Sequence, residues 1–576
     1  MLPFLRFGAA AMLSGAAGMI AIPAVTIAQA ADPIVVTARP GDDVDADDAV
    51  TVDHAALGLL GVPDPLGAVS RDVAGVSLSD AVGNAHEPNL VYRGFTASSL
   101  QGNAQGLAVY VDGVRFNQPF GDTVAFDLLP PSAIDSVTIK DVNPVYGLNA
   151  LGGVVEIATR NGRSAPGVAL YGTGGGDGRY GEGKVGGEAG WSRGSWSGYV
   201  AFDSAQDQGW REHSPSTLYS GLVDAGWDGT QAGVHVKYLG ARTDLAGNGP
   251  SPVQLLAANY RAVFTYPDQT RNRFDRVSLH PWTAVGGHGR IEASLYWQRL
   301  GQRTSNGDSA NLATCADTPG LLCLDDAPLV DSRGVAIANA PGSAPYGVLN
   351  RLQTTTQAGG GLVQYVDKRP LFGGENLAVL GVSHDRSTTR FDAVTELARL
   401  AADRQLIGLG PVIAQPDGAI TPVSLRSTTR YSGLFVAETL PLGPQLTAEF
   451  SLRYNIAKVR LFDLIGAALN GEHTYRRVNP GVEIDYRISP GLTLRAGYAE
   501  ANRAPTPAEL SCADPASPCS LTNFFVADPD LRQVVARNWE LGASGTAKGA
   551  WKLEWQVSAY RTTSHDDIQY VSSATL

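Results

Sequence analysis

Four cysteines stand in two close pairs, Cys315 with Cys323 and Cys512 with Cys519, each inside a Pro/Asp/Ala-rich stretch ("CADTPGLLC" and "CADPASPC"). Thiols placed like this either close a local disulfide or contribute to a metal site. No histidine neighbours either pair and the C-x-x-C spacing of zinc sites is absent, which favours two loop-stapling disulfides over a metal. The nine histidines are scattered, none at i, i+4 about a glutamate, and no G-x-S-x-G occurs, so neither a metallohydrolase nor a serine hydrolase constellation is present. Two glycine patterns imitate nucleotide loops. "GDGRYG" (Gly176, Gly178, Gly181) fits G-x-G-x-x-G, and "GRYGEGKV" from Gly178 ends in Val185 where a P-loop needs Ser or Thr for magnesium. The chain continues into the strand-like "GGEAGWSRGSWSGYVAF" and not into an amphipathic helix, so no phosphate cradle is expected. The expectation is a protein that is not an enzyme and holds no metal or cofactor.

The remaining chemistry is binding, and its first candidate is "DPIVVTARPGDD", starting at Asp32. Ile34 to Thr37 favour an extended chain and Pro33 blocks a helix at its start. A lone strand leaves its N–H and C=O groups unpaired, so this one must borrow a partner. Asp42, Asp43, Asp45, Asp47 and Asp48 come next and keep the segment soluble. Before it, Met1 to Ala30 carries one early cation, Arg6, an apolar stretch through Ile22 and an Ala28-Gln29-Ala30 cleavage pattern, the features of a secretory signal peptide. Export exposes the new terminus near Ala31 and places the cysteines in an oxidising compartment.

The elements that must carry these residues are strands. The 576 residues include 67 glycines, 20 tyrosines and 9 tryptophans, with only 17% charged residues and a net charge of −12, which argues against a nucleic-acid partner. No segment after the leader is apolar for long enough to be a membrane helix. In "WKLEWQVSAY" Trp551, Leu553, Trp555, Val557 and Ala559 alternate with polar residues; "RIEASLYWQR" (Ile291, Ala293, Leu295, Trp297) and "QLTAEFSLRYN" (Leu446, Ala448, Phe450, Leu452, Tyr454) do the same. Further candidates lie at 194–204, 232–240, 376–386, 428–440, 477–486, 491–500 and 536–546. Soluble sandwiches and propellers also alternate, but runs of about ten residues exceed their usual five or six and suit a transmembrane barrel, with lipid on one face and a lumen on the other. Long connections, as at 303–350 and 388–427, alternate with tight ones such as "LPLGPQ" and "ISPGL".

Residues 51–163 have a different texture: short β-branched strands separated by Gly and Asp-Gly turns, with "DLLPPSAIDSV" a candidate for a short helix. "YRGF" (Tyr92 to Phe95), "VDGV" (Val111 to Val114), "IDSVTI" and "YGLNALGGVVEIAT" (Tyr146 to Thr159) stand here in order. Together they resemble the plug domain of TonB-dependent outer-membrane receptors. Farther on, "YAEANRAPTPAEL" (Tyr498 to Leu510) and "NWELGASG" (Asn538 to Gly545) resemble late barrel strands of the same family. The resemblance covers nearly the whole chain after the leader.

The resemblance implies an all-β transmembrane barrel of about 22 antiparallel strands with an N-terminal α+β plug in its lumen. Residues 1–30 would be the signal peptide, 31–50 the TonB box and acidic tether, 51–163 the plug and 164–576 the barrel. Asp32, Pro33, Ile34, Val35, Val36, Thr37 and Ala38 would be the TonB box, an extended peptide that adds to the edge of the periplasmic TonB sheet. Arg93, Gly94, Asp112, Gly113, Gly147, Gly152 and Gly153 would serve the plug's structure, Arg93 by pairing with a barrel carboxylate, Glu438 or Glu540. The loops "TASSLQGNAQG" and "FNQPFGD" flank the "VDGV" strand where the family has its apical loops. Gln101, Asn103, Gln105, Asn117, Gln118, Phe120 and Asp122 are therefore the expected ligand contacts. The implied activity is TonB-driven uptake of a scarce ligand, a ferric siderophore or similar metal chelate, by a monomer in the outer membrane of a Gram-negative bacterium. The alternatives are a passive porin-like channel, or uptake of cobalamin or a non-metal nutrient. About fifteen candidate strands are countable and the chain stops at Leu576 without the family's terminal aromatic, so an incomplete barrel is expected from this sequence.

Overall fold

The computed structural model describes residues 49–58, 63–80, 82–176, 180–324, 326–340, 345–374, 376–415, 420–511, 531–548 and 552–568. The leader, the Asp32 to Ala38 stretch, the acidic tether, and Cys512 with Cys519 lie outside the described residues.

The N-terminal unit is a small α+β body. Strand β1 (Ala49–Asp53) leads into α1 (His54–Leu57), capped by the Asp53 carboxylate, which accepts from the Ala56 N–H at 3.0 Å. In the same way Asp64 caps α2 (Pro65–Asp72), with Pro65 at the first helical position where its missing N–H costs nothing. A meander comes next, β2 (Val76–Asp80), β3 (Pro88–Tyr92) and β4 (Phe95–Ala97). The central sheet comprises β5 (Leu107–Val111), β6 (Val114–Arg115), β7 (Ile134–Lys140) and β8 (Gly153–Thr159), in the order β1-β7-β8-β5-β6 with only β5 and β8 parallel.

Two motifs owe their form to two-residue hairpins. Arg93-Gly94 joins β3 to β4 and Asp112-Gly113 joins β5 to β6, and all four residues have positive φ (51°, 86°, 51° and 74°), the pattern of a type I′ turn. The "DLLPPSAIDSV" stretch has no α-helix: one 3-10 turn, Phe126–Leu128, overlaps its start and a second, Pro131–Ala133, lies within it. Pro130 and Pro131 prevent helical hydrogen bonding from propagating through it.

From Gly167 onward the chain builds a continuous antiparallel wall. Its strands are β9 (Gly167–Gly176), β10 (Gly181–Arg193), β11 (Trp196–Asp207), β12 (Ser216–Asp228), β13 (Ala232–Ala246), β14 (Asp268–Val285) and β15 (Gly289–Ser309). The connection after β15 carries a three-stranded sheet, β16 (Ala313–Thr314), β17 (Leu322–Leu324) and β18 (Ala327–Pro328). The wall resumes with β19 (Tyr346–Asp367) and β20 (Leu377–Leu400), on which β21 (Leu406–Val412) folds back. It continues through β22 (Val423–Pro441), β23 (Leu446–Asp463) and β24 (Gly471–Ser489), and ends with β25 (Leu492–Arg503), β26 (Val534–Lys548) and β27 (Lys552–His565). Each wall strand pairs with the wall strands before and after it, and among the described residues β9 and β27 are the two ends.

The wall is inside out relative to a soluble sheet. On β22, Leu434 is 52% exposed while Phe435 beside it is 1% exposed. On β15, Ile291, Leu295 and Trp297 are exposed while Ser294 and Gln298 are buried. Large apolar side chains turned outward and polar ones turned toward the plug are what a lipid-facing barrel requires. Several strands run farther than their apolar pattern: 376–386 is part of the 24-residue β20, and β15, β19, β20 and β22 shorten the expected loops 303–350 and 388–427. In these extensions the outward face is no longer apolar, as at Arg390 and Arg426, while the inward face stays buried at Phe391 and Leu425, so the apolar pattern fades although the hydrogen-bond ladder continues. "GDGRYG" begins on the last residue of β9 and ends on the first of β10, so its final glycine opens a strand and not a phosphate-binding helix.

Candidate functional site: the plug apex and its contacts with the barrel

The plug sits against the inner face of the wall, and a short set of side chains fixes it there. Arg93, aimed by its hairpin turn, donates two parallel hydrogen bonds to Glu540 on β26, at 2.8 and 2.9 Å. Asp141 completes the group, 2.9 Å from the same guanidinium, while the Tyr92 hydroxyl donates to Asp141 at 2.7 Å and the Tyr560 ring lies 4.5 Å from the guanidinium carbon. Of the two carboxylates expected for Arg93, the partner is Glu540. Burial and the neighbouring Glu540 raise the Asp141 carboxyl, against the pull of Arg93.

A second fastening uses the Asp112-Gly113 turn. Lys237 on β13 lies 3.0 Å from Asp112 and donates to the Thr159 hydroxyl at 2.7 Å. Asp112 in turn accepts from the Thr159 N–H and hydroxyl, at 2.9 and 2.7 Å. Burial alone would raise this carboxyl; Lys237 and the Thr159 bonds hold it below its ordinary value. At the plug's exit, Arg160 pairs with Glu188 on β10 and Arg163 reaches Asp228 on β12 at 3.0 Å. The "GG" of the sequence motif is a packing requirement: a Cβ on Gly152 would lie 2.1 Å from the Phe95 ring.

The apical loops divide the expected ligand residues. The Asn117 side chain accepts from the Val109 N–H at 2.8 Å and donates to the carbonyls of Leu107 and Asp122, at 3.1 and 3.2 Å. Gln105 accepts from the Ser98 N–H at 2.9 Å and donates to the carbonyls of Ser98 and Leu100. Gln118 donates to the Phe116 carbonyl at 2.9 Å, Asp122 pairs with Arg115 at 2.6 Å, and Phe120 stacks on Phe391 of β20 with ring centroids 4.9 Å apart. All five are buried, so their contacts are with the protein itself. Gln101 and Asn103 are half-buried and lie at the loop surface, Asn103 donating to Ser98 at 3.0 Å. The physical reason is that loops inside a lumen have barrel walls beside them, and polar side chains without water must satisfy one another.

The same end holds a carboxyl that sequence reasoning missed. Glu87 is buried beside Asp127 and its one hydroxyl partner, Ser99, is 3.4 Å away; burial first and Asp127 second push it up to about 8. Two of the cavities among the described residues lie between plug and wall. One is bordered by Tyr110, Tyr146, Tyr296, Asp385, Arg453 and Asn455, the other by Arg93, Asn143, Glu449, Glu483, Arg495 and Tyr498. Lys237 and Arg453 had no legible signal in the sequence, because each is one polar residue among many on the lumen face of its strand. In the outer connection Cys315 and Cys323 are joined, with Cα atoms 5.0 Å apart.

Comparison with known proteins agrees with this architecture. The sequence profile described as "TonB dependent receptor-like, beta-barrel" matches residues 155–576, and that of the "TonB-dependent Receptor Plug Domain" matches 43–154. Among solved structures, the ferric-catecholate import receptor Fiu of E. coli K12 superimposes with a TM-score of 0.65 at 13% identity, over 93% of this chain and 75% of that one. The unliganded ferric citrate transporter FecA gives 0.64 at 13%, over 86% and 67%. The ferric yersiniabactin uptake receptor FyuA of Yersinia pestis gives 0.61 at 11%, over 90% and 72%. At such identities the likeness is one of fold. A search of curated protein sequences gives no match. With a plug fastened by its hairpin turns inside an inside-out wall, and profiles for both parts covering 43–576, the chain belongs to the TonB-dependent receptors, a family of outer-membrane transporters and receptors that are not enzymes.

Proposed function

We propose that this receptor takes up a ferric siderophore or similar metal chelate, driven by TonB. The observation that carries the reading is the ionic fastening of a folded plug inside the wall, Arg93 to Glu540 and Asp112 to Lys237. A passive pore has no use for a plug, and a plug held by buried ion pairs needs outside work to move. The outer membrane has no ATP, so the work arrives mechanically through the terminus: Asp32 to Ala38 adds as a strand to TonB after removal of the leader. The relatives named for ferric citrate, ferric yersiniabactin and ferric catecholate support iron chelates as the ligand class. Ligand meets the outer loops and the plug apex, with Gln101 and Asn103 the residues best placed to touch it. Cobalamin or a non-metal nutrient is the second reading.

The test is uptake of radiolabelled ferric citrate, a ferric catecholate and cobalamin by cells making the chain, with Val35→Pro beside the wild type. Proline removes a main-chain donor that strand addition needs. Loss of uptake with surface binding retained supports the reading, and the transported compound names the class. Equal uptake by both chains removes TonB from the mechanism and restores the passive channel.

A further inference from the structure

Both cavities touch one piece of the plug. The connection between β7 and β8 lends Asp141, Val142, Asn143 and Pro144 to one cavity, and Val145, Tyr146, Gly147 and Leu148 to the other. On the barrel side they also share a wall: Glu449 and Ser451, near the β22–β23 turn, border one, and Arg453 and Asn455, farther along the same β23, border the other. Residues 141–149 are the partition between them.

The plug's opposite side is built differently. There its apolar core runs without a break into the barrel through Tyr199, Ala201, Leu222, Leu239, Phe274 and Leu300 of β11 to β15. Moving that side would expose one large continuous core. Residues 141–149 instead meet the barrel through a few directed contacts, Arg453 to the Val145 carbonyl at 2.8 Å, Asn143 to Glu449 at 2.9 Å and the Asn149 N–H to the Asn502 carbonyl at 2.9 Å, while within the plug Arg115 donates to the Leu148 carbonyl. Their apolar anchors are divided among three smaller, separate clusters: Val145 and Tyr146 pack with Leu377, Val379 and Phe435 of the barrel, Leu148 with Ala457 and Ala504, and Val142 with Ala501 and Val534. Asn149 is fully buried and neither of its side-chain polar atoms has a partner among the described residues, so beyond its N–H bond to Asn502 it adds nothing directed to the hold of this segment.

We propose that residues 141–149 are a strap that swings off the wall from β20 to β26, joining the two cavities into the transit path, and that Ser383, Asp385, Glu449, Ser451, Arg453 and Asn455 handle the solute along it. This rests on the uptake reading above. A path lined by both signs of charge and by hydroxyl and amide groups suits a polar solute rich in hydrogen-bonding oxygens. Ties at Arg115 and Arg93 connect the strap to the apical loop through Asp122 and to the Glu540 contact through Asp141, so both ends of the plug act on it.

Hydrogen exchange of the full chain in detergent micelles tests this without TonB or ligand. The hydrogen-bonded amides of Tyr146 and Asn149 are expected to exchange about a hundredfold faster than those of Val137 in β7 and Val155 in β8. Arg453→Met and, separately, Asn143→Ala accelerate the strap alone by about tenfold, whereas Lys237→Met leaves the strap unchanged. Exchange of the strap in one step with β7 and β8 overturns the proposal, as does earlier opening of residues 126–133 on the opposite face. Either result removes the route and leaves the uptake reading standing; a failed Val35→Pro comparison removes that reading and leaves the strap measurement intact.

Discussion

Arg93 and Glu540, 447 positions apart in sequence, meet in a two-pronged ion pair that ties the plug's first hairpin to β26. The turn that carries Arg93 forces it into a left-handed backbone conformation, unfavourable for a non-glycine residue, and the pair is the compensation. Arg93→Met strands Glu540 and Asp141 side by side in a largely buried setting. Plug docking should weaken by about 3–5 kcal/mol. Glu540→Gln, which leaves Arg93 its Asp141 partner, should cost distinctly less. Proteolytic release of the plug across a temperature series measures both.

Glu87 gives the plug a pH dependence of known sign. Its carboxyl is pushed up to about 8 from an ordinary 4.5, so the folded plug holds a proton that the unfolded chain gives up. The stability it supports is complete below the ordinary value and is lost as pH rises toward 8, at up to about 1.4 kcal/mol per pH unit. Glu87→Gln should flatten that loss. Thermal release of the plug at pH 5, 7 and 9 is the comparison, and an unchanged slope would refute the assignment to Glu87.

The apical residues predict opposite behaviour on substitution. Asn117→Ala leaves the Val109 N–H and two carbonyls without partners and should destabilise the plug by about 1–3 kcal/mol. Gln101→Ala should stay within about 0.5 kcal/mol in stability and weaken binding of the transported chelate. Thermal release of the plug beside a surface-binding isotherm separates the two effects.

Cutting the Cys315 to Cys323 link should act locally. A crosslink closing so short a loop is worth about 2–3 kcal/mol in chain entropy. Cys315→Ser should therefore open residues 310–345 to protease while the strands of the wall keep their protection, as peptide mapping of timed digests would report.

The class of structure was legible before any pairing was known. Period-two alternation over about ten residues is a property of a single strand with lipid on one side, so it can be read from "WKLEWQVSAY" alone. The Arg-Gly and Asp-Gly turns are equally local, since two adjacent positive φ angles favour a glycine beside a polar residue, and so the plug's hairpins were legible too. Pairing and burial came only with the folded chain. Glu540 was one of two carboxylates within the expectation for Arg93, and the barrel's register selected it. Lys237 and Arg453 carry no local mark, and Asn117, Gln105 and Asp122 read as loop residues open to a ligand. The roles of Lys237 and Arg453 depend on which plug residue the barrel's register brings opposite them, whereas Asn117, Gln105 and Asp122 bond to plug residues within ten positions of themselves, contacts that follow from how the loop folds back on the sheet.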